Sequence, residues 1–448
     1  MKRNRKHKRR RGISFGTILM LVLTIVIGGG CLTLLPRLQG NTELHVDTSQ
    51  MLSDLTLNGS MPQLSLSDIP ITVTTADPAK AAATPIPTMQ PEVQQLLSTS
   101  TPSVQSATLT FGGSINVESG IRKSGYFSET KTYDFDDVMS LLAPEMQTDL
   151  CVVPFMNLIA TNGKYTDLLT TEAALSLFTT SGVDVVPLGF PTAFDQGMDG
   201  LTATLDAIRA RGLTPVGANA SAEEAAAPRI LTVGGLRISI LHYVDALSST
   251  GRKRMKKEAA DYALPVAESE TIAADIARAR SAGAQVVIVS LSWGDVGKTS
   301  PTKDQQMLAQ AIADSGADVI VGTGTKVVQP VVWLTGTQAD GSTKQVLCAY
   351  NLGTLISDSR KKTAYVGGML LQLQITCDNA GAVSFEKLEY TPTYIWRYKQ
   401  GSQYLYRVLA SDSTPPDAMS DEQRSVMQKA LATVQNALKD SVVTQRAK

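Results

Sequence analysis

The stretch Asp314–Pro330, DSGADVIVGTGTKVVQP, decides how this chain reads. Ala317–Val321 is a short apolar run rich in β-branched residues, the composition of a strand buried on both faces. A helical pattern over Thr302–Ser315 precedes it, and a Gly-Thr-Gly-Thr-Lys turn follows. A buried strand that opens into glycines suggests a ligand loop. A phosphate-cradling loop needs its lysine directly after the last glycine and a helix beyond. Here Lys326 follows Thr325, and VVQPVVWL reads as a further strand. The phosphate-loop reading is excluded.

Outward from this turn, the same alternation recurs. The strand-like runs are ATLTFGG from Ala107, DLCVVPF, VDVVPL, TPVG, RISILHY, AQVVIVSLSW and ADVIVG. Between them lie helical patterns from Thr171, over Met198–Arg211, Val266–Ala282 and Thr302–Ser315. Strands separated by helices imply βαβ units with right-handed crossovers. The later runs VVQPVVWL, KQVLCAYNL, GGMLLQLQIT and AVSFEKLEY have no helices between them and are expected to pair antiparallel, with the domain ending near Tyr398. In residues 399–448, SDEQ at Ser420–Gln423 fits a capping box, and Met427, Leu431, Val434 and Leu438 share one helical face. That helix is expected to pack on the domain, with a partner contact as the alternative.

The chain has 448 residues, 43% of them hydrophobic and 18% charged, with a formal net charge of zero. That balance gives no sign of nucleic-acid binding. Its N-terminus is uneven. Eight lysines and arginines crowd residues 2–11, and the uncharged apolar run Ile13–Leu35 follows. Such a run, long enough to span a bilayer, predicts a single transmembrane anchor with the basic tail (1–12) cytoplasmic and the remainder outside. A cleaved signal peptide is the rival, although no A-x-A site follows the run. GGGC, ending at Cys31, weakly resembles a lipoprotein site, with Gly28 three residues before the cysteine. Residues 36–106 carry repeated prolines in a Ser/Thr/Ala background, and no aromatic residue occurs between Phe15 and Phe111. Such a segment buries too little to order itself, so a disordered stalk is expected, with a short helix around Glu92–Leu97 as an interruption. Cys348 and Cys377 fall in runs expected to be neighbouring strands, so a bridge between them and buried free thiols both stand as readings.

In open α/β sheets ligands gather outside the carboxyl ends of the strands. At those ends the chain resembles the CapA family, proteins of poly-γ-glutamate capsule synthesis with a metallophosphatase-like fold. LTFGGSI resembles the family's L-x-F-x-G-D-I, and DLCVVPFMNLIA its A-D-x-x-x-x-N-L-E. SGVDVVPLGFPTAFDQGMDGL resembles G-F-D-V-V-x-L-A-N-N-H-A-x-D-Y-G-x-x-G-L. VVIVSLSWG, VGTGTKVVQP and YNLGTLI resemble V-V-I-V-S-L-H-W-G, G-H-H-P-H-V-x-Q-P and Y-S-L-G-N-F. The resemblance covers residues 107–398. It implies a calcineurin-like α/β/β/α sandwich with mixed sheets and a role in capsule or surface-polymer synthesis, export or anchoring. The polar positions depart from it. Gly113, Ile159, Phe190, Pro191, Thr192, Ser292, Thr323, Gly324, Lys326 and Thr354 stand where the family carries its acidic, amide and imidazole side chains.

Composition points the same way. Binuclear hydrolase centres are built from carboxylates and imidazoles, and the chain has three histidines: His7, His45 and His242. A weak divalent-metal site from His242 with Asp195, Asp245 and Asp295 is the alternative to no cofactor at all. Nucleophilic catalysis lacks a G-x-S-x-G elbow. The candidate ligand cleft is therefore Asn157, Asp195, His242, Ser292, Trp293, Asp295 and Lys326, without a catalytic assignment. Lys326 would repel a divalent cation and attract an anion. Trp293 offers a stacking face or a packed wall, and Asp195 a ligand or a turn. His242 offers a ligand contact or a strand-end hydrogen bond to backbone. GRKRMKK at Gly251–Lys257 reads as a basic loop, either a solvated face or a contact for anionic envelope polymer. The resulting expectation is a non-catalytic relative that binds polymer or assembles capsule-synthesis membrane proteins, with an altered-site hydrolase or transferase as its rival.

Overall fold

The computed structural model describes residues 42–45, 72–75, 104–379 and 381–447. They divide between two units, residues 1–99 and 100–448. Of the first, the described residues are the strands Thr42–His45 and Thr72–Thr75, paired antiparallel. Composition predicted no regular structure there. Both segments are short and carry β-branched threonine or valine, residues that favour an extended backbone. The expected anchor at 13–35, Cys31 and the helix at Glu92–Leu97 lie outside the described residues. Among the described residues no helix is long and apolar enough to cross a membrane.

In the second unit, β1 (Gln105–Gly112), β2 (Leu150–Val152), β3 (Val185–Pro187) and β4 (Thr214–Val216) run parallel in one sheet. In a second sheet follow β5 (Ile230–Val233), β6 (Leu236–Val244), β7 (Val286–Ser292), β8 (Val319–Thr323), β9 (Val331–Thr337) and β10 (Thr343–Ala349). Its order is β5-β6-β7-β8-β10-β9, with β6, β7, β8 and β10 parallel and the two edge strands antiparallel. The chain then returns to the first sheet through β11 (Gly367–Cys377), β12 (Val383–Gln400) and β13 (Gln403–Ala410), giving the order β4-β3-β2-β1-β11-β12-β13. Thr444–Gln445 adds to β12.

Period-two burial sets the layers. Leu109, Phe111 and Val152 of the first sheet meet Ile240, Val286, Ile288 and Val321 of the second in a shared core. On the far side of β7, Val287, Val289 and Leu291 pack against Ile272, Ile276 and Ile312. These belong to α3 (Ser269–Ser281) and α4 (Lys303–Asp314), which follow α1 (Gly197–Ala210) and α2 (Ser249–Glu258). Leu201, Leu205 and Ile208 of α1 cover the outer face of the first sheet with Cys151, Val186 and Leu188. The layers are thus helix, sheet, sheet, helix, with mixed sheets as the sequence implied. Asp318 pins the second sheet at its lower end. Its carboxylate accepts from Val287 N (2.7 Å), Arg280 (2.5 Å) and Lys344 (2.6 Å).

Four expectations change. The domain does not end near Tyr398, because that residue lies within β12, whose hairpin partner is β13. VVQPVVWL is not one strand, since Val327–Pro330 belongs to the turn and pairing begins at Val331. Cys348 and Cys377 are not neighbours: one lies in β10 of the second sheet and the other ends β11 of the first, and both are free. Gly251–Lys257 is helical rather than a loop, capped by Ser248 and anchored by buried Met255.

The C-terminal helix α5 (Asp421–Leu438) begins with the expected capping box at Ser420 and Gln423. Met427 and Ala430 enter the outer core of the first sheet, while Val434 and Leu438 enter the core between the sheets. It is part of the domain. Met427→Ala should cost about 2–5 kcal/mol in denaturant unfolding, as for other buried methionines. A helix held free for a partner would lose no more than about 0.5 kcal/mol.

Candidate functional site

The polar positions singled out from the sequence lie beyond the carboxyl ends of β1, β2, β3, β6, β7, β8 and β10. Each strand there must leave a two-faced core, so backbone groups lose their ladder partners and find new ones in the turns. After β1 the chain passes Gly113 into Ser114–Ile115, which pairs with Thr354–Ile356. A Cβ on Gly113 would stand 2.7 Å from the Gly353 carbonyl oxygen, so the aspartate of the family pattern has no room without a backbone shift. Ser114 N donates to that same carbonyl at 3.2 Å.

The turn after β8 is held from several sides. Trp293 N donates to Thr323 O (3.0 Å) and Gly297 N to Thr325 O (2.7 Å). Gln329 is fully buried, and its amide donates to Lys298 O (3.0 Å) and Ser300 O (3.1 Å). Gly324 takes φ +110° against the Trp293 backbone, a conformation that suits glycine alone. Lys326 also sits in the left-handed region, at φ +63°. Its ammonium reaches Glu118 Oε1 at 3.3 Å.

Glu118 is the centre of the cluster. Its other carboxylate oxygen accepts from Ser357 Oγ (2.8 Å) and Asp358 N (2.9 Å). Asp358 Oδ2 accepts from Gly120 N at 2.6 Å, and a side-chain hydrogen bond joins the two acids. Burial alone would raise Glu118. Hydrogen bonds from Asp358 and Ser357, with the Lys326 charge, outweigh it and hold this carboxyl below its ordinary range. Burial and then the contact with Glu118 push Asp358 the other way. The two carboxyls are thus pushed apart in acidity, Glu118 toward its charged form, which faces the Lys326 ammonium.

The seven candidate residues do not converge on one ligand. Asn157 is fully buried and structural: its Oδ1 accepts from Val117 N (2.7 Å) and its Nδ2 donates to Asp167 O (2.9 Å). Asp195 accepts from the Ser248 hydroxyl, and its own N–H donates to Thr192 O (3.0 Å), which makes it a turn residue. Trp293 is 2% exposed. Its indole N–H donates to Tyr350 O at 2.8 Å and its ring stacks on Tyr350, so the packed-wall reading stands and the stacking face is corrected. Ser292 is buried beside Gly324, with its carbonyl accepting from Asp245 N at 3.0 Å. Asp295 is exposed in the next turn. Burial raises Asp245, and the Asp295 charge adds to that. Lys326 is engaged by Glu118 rather than free for an anion.

His242 is 2% exposed, with Nε2 2.8 Å from Gly189 O and Nδ1 2.9 Å from Ser290 Oγ. A carbonyl only accepts, so Nε2 carries the proton and Nδ1 accepts from the serine. The Gly189 contact is the backbone hydrogen bond of the strand-end reading, and with Ser290 on Nδ1 both nitrogens of His242 are engaged. Burial lowers its pKa to about 4. Among the described residues no three His, Cys, Asp or Glu side chains lie close enough to hold a metal ion. The donors present do not fit a binuclear centre. Thr323 Oγ1, Asn351 Nδ2 and Thr354 Oγ1 are buried there without a protein partner.

Two outcomes follow from this geometry. His242 is neutral when folded, so stability is complete above pH 6.5 and falls as pH drops toward 4, by roughly 3 kcal/mol in all. The difference between wild type and His242→Gln in chemical unfolding at a series of pH values should follow that window, and heteronuclear NMR should find the Nε2–H tautomer. A midpoint near 6.5 in the folded protein would contradict the assignment. At the turn, Lys326→Gly and Lys326→Ala both lose the ion pair, but only glycine takes φ +63° freely. The glycine variant should be about 1 kcal/mol more stable than the alanine variant in denaturant melts.

Comparisons with known proteins bear on the same region. The chain is 27% identical over 225 residues to the PGA biosynthesis protein CapA of Bacillus subtilis (strain 168), covering 49% of this chain and 55% of that protein. It is 26% identical over 181 residues to the capsule biosynthesis protein CapA of Bacillus anthracis, covering 40% and 41%. The chain spans about half the length of the curated relatives it matches. Among solved structures it is similar to the NAD nucleotidase of Haemophilus influenzae, at 12% identity and a TM-score of 0.40, over 77% of this chain and 57% of that one. It is also similar to the calcineurin-like phosphoesterase YfkN from Bacillus subtilis, at 10% identity and a TM-score of 0.37, over 75% and 99%. Residues 108–359, more than half of the chain and including every strand end described above from Gly112 to Asp358, match the family described as bacterial capsule synthesis protein PGA_cap, and the chain belongs to that family.

Proposed function

We propose that this protein serves capsule or related surface-polymer synthesis, export or anchoring as a non-catalytic member of its family, binding an anionic polymer of the envelope or assembling capsule-synthesis membrane proteins. The observation that carries this reading is the Lys326–Glu118 ion pair. It seats an ammonium in the turn where the resemblance implies imidazoles, and it uses the one carboxylate that Lys326 and Ser357 both approach. The relatives' names point to capsule polymer, and the basic residues 2–11 followed by the apolar run 13–35 support attachment to a cell membrane with the folded unit outside. No nucleic-acid role enters this reading.

The rival, a hydrolase or transferase with an altered site, draws on the Glu118–Asp358 pair. Two neighbouring carboxyls whose surroundings push their acidities apart can supply one acid and one base. Against it, Glu118 is already held by an ammonium, a hydroxyl and a backbone N–H. Metal analysis of the full-length chain should find no stoichiometric divalent ion, and phosphodiesterase and γ-glutamyl hydrolysis assays should show no turnover above background. Stoichiometric metal, or turnover abolished by Glu118→Gln, would overturn the non-catalytic reading.

A further inference from the structure

Among the described helices α2 carries the densest run of cations. Over ten residues it carries Arg252, Lys253, Arg254, Lys256 and Lys257, all exposed, against the single acid Glu258. Helical spacing puts Arg252 beside Lys256 and Lys253 beside Lys257, about 5–6 Å apart, so the like charges repel. On α1 and α3 the arginines are paired: Arg209 with Asp206 and Glu224, Arg278 with Asp275, Arg280 with Asp318. Among the described residues none of the five on α2 has an ion-pair partner.

The helix is also fixed in place. At its start Ser248 caps Gly251 N (2.8 Å), gives its hydroxyl proton to Asp195, and donates its own N–H to Pro191 O at 2.7 Å. At its end Glu258 accepts from Met198 N at 2.8 Å, which engages the only acid on the helix. Met255 enters the core and the chain leaves through Ala259 at φ +50°. The start of α2 is therefore clamped to the loop before α1 and its end to the first turn of α1, at the carboxyl-end side of β6, and five cations without ion-pair partners are presented on a fixed helix. The backbone that carries them needs no ordering on binding, and the cost that remains is that of the five long side chains.

We propose that α2 is the docking face for a linear polycarboxylate, a chain with regularly spaced glutamate-type carboxylates. The inference rests on the reading of this protein as a capsule-polymer protein and names the surface that does the binding. Charge complementarity carries it. A membrane surface fits less well, because interfacial helices bury an apolar face in lipid. The exposed residues of α2 are Ser249, Thr250, the five cations and Glu258, with no apolar side chain among them.

The test uses the full-length chain in a background where the lysines and arginines of residues 2–11 are glutamine, so that the basic tail does not compete. Fluorescently labelled linear polyglutamate is the probe, with polyphosphate and anionic-lipid vesicles as comparison arms at matched salt. Binding should weaken steeply with salt. It should fall about tenfold or more in Arg252→Gln/Lys253→Gln/Lys256→Gln/Lys257→Gln, and fall likewise in Lys253→Glu/Lys257→Glu, with melting midpoints unchanged. The charge-preserving Arg252→Lys/Arg254→Lys should retain binding. Unchanged affinity in the α2 variants would overturn the proposal. So would an equal loss in the scattered variant Lys303→Gln/Lys387→Gln/Lys429→Gln/Lys439→Gln, which makes the same change in net charge. Tighter binding to polyphosphate or vesicles than to polyglutamate would overturn the choice of ligand while leaving the non-catalytic reading standing. Conversely, metal-dependent turnover would sink that reading without altering the α2 result.

Discussion

Burial on both faces of the second sheet is the constraint from which the rest follows. Every residue of β7 from Val286 to Ser292 is buried, with alternate side chains serving the core between the sheets and the core under α3 and α4. A strand so placed cannot host chemistry along its length, because an unpaired polar group there would cost several kcal/mol on the order of its full desolvation. Polar function is driven to the strand ends, and the ends of β6, β7 and β8 lie side by side because their registers run in parallel. The scaffold of a cleft is therefore preserved by packing alone, whatever side chains stand around it.

At those ends the polar and backbone groups are met by contacts within the chain. Trp293 satisfies a carbonyl of β10's continuation, Gly113 closes on Gly353, and Lys326 neutralises an acid remote in sequence. A half-exposed pair of this kind adds little to stability. Its effect is to fix the charge balance of the rim.

Much of the fold was legible because it depends on periodicity. Apolar runs gave β6, β7 and β8, and the capping residue Ser420 marked the start of α5. His242 was readable as a strand-end hydrogen bond from its place in RISILHY. Glu118 and Asp358 were not readable, since neither sits in a motif and the folded chain alone brings them together. The basic stretch at Gly251 was taken for a loop because its charges hide the one apolar anchor, Met255, and the cap at Ser248 draws its strength from Asp195, remote in sequence. The end of the domain was missed at Tyr398 because β12 is unusually long, and an 18-residue strand has no turn signal to show where pairing stops.

The connectivity of the first sheet has a consequence for how the protein is made. β1 is the first strand of the domain, yet it is flanked by β2 on one side and β11 on the other, with Leu109 opposite Leu373. The Glu118 cluster likewise joins residues 208 and 240 positions apart. Until the last third of the chain has emerged, one edge of β1 has no partner, and an open apolar edge is a template for pairing with other chains. Contacts this remote in sequence make for slow assembly. A chain with this wiring has to be shielded, or kept extended, for most of the time it takes to appear.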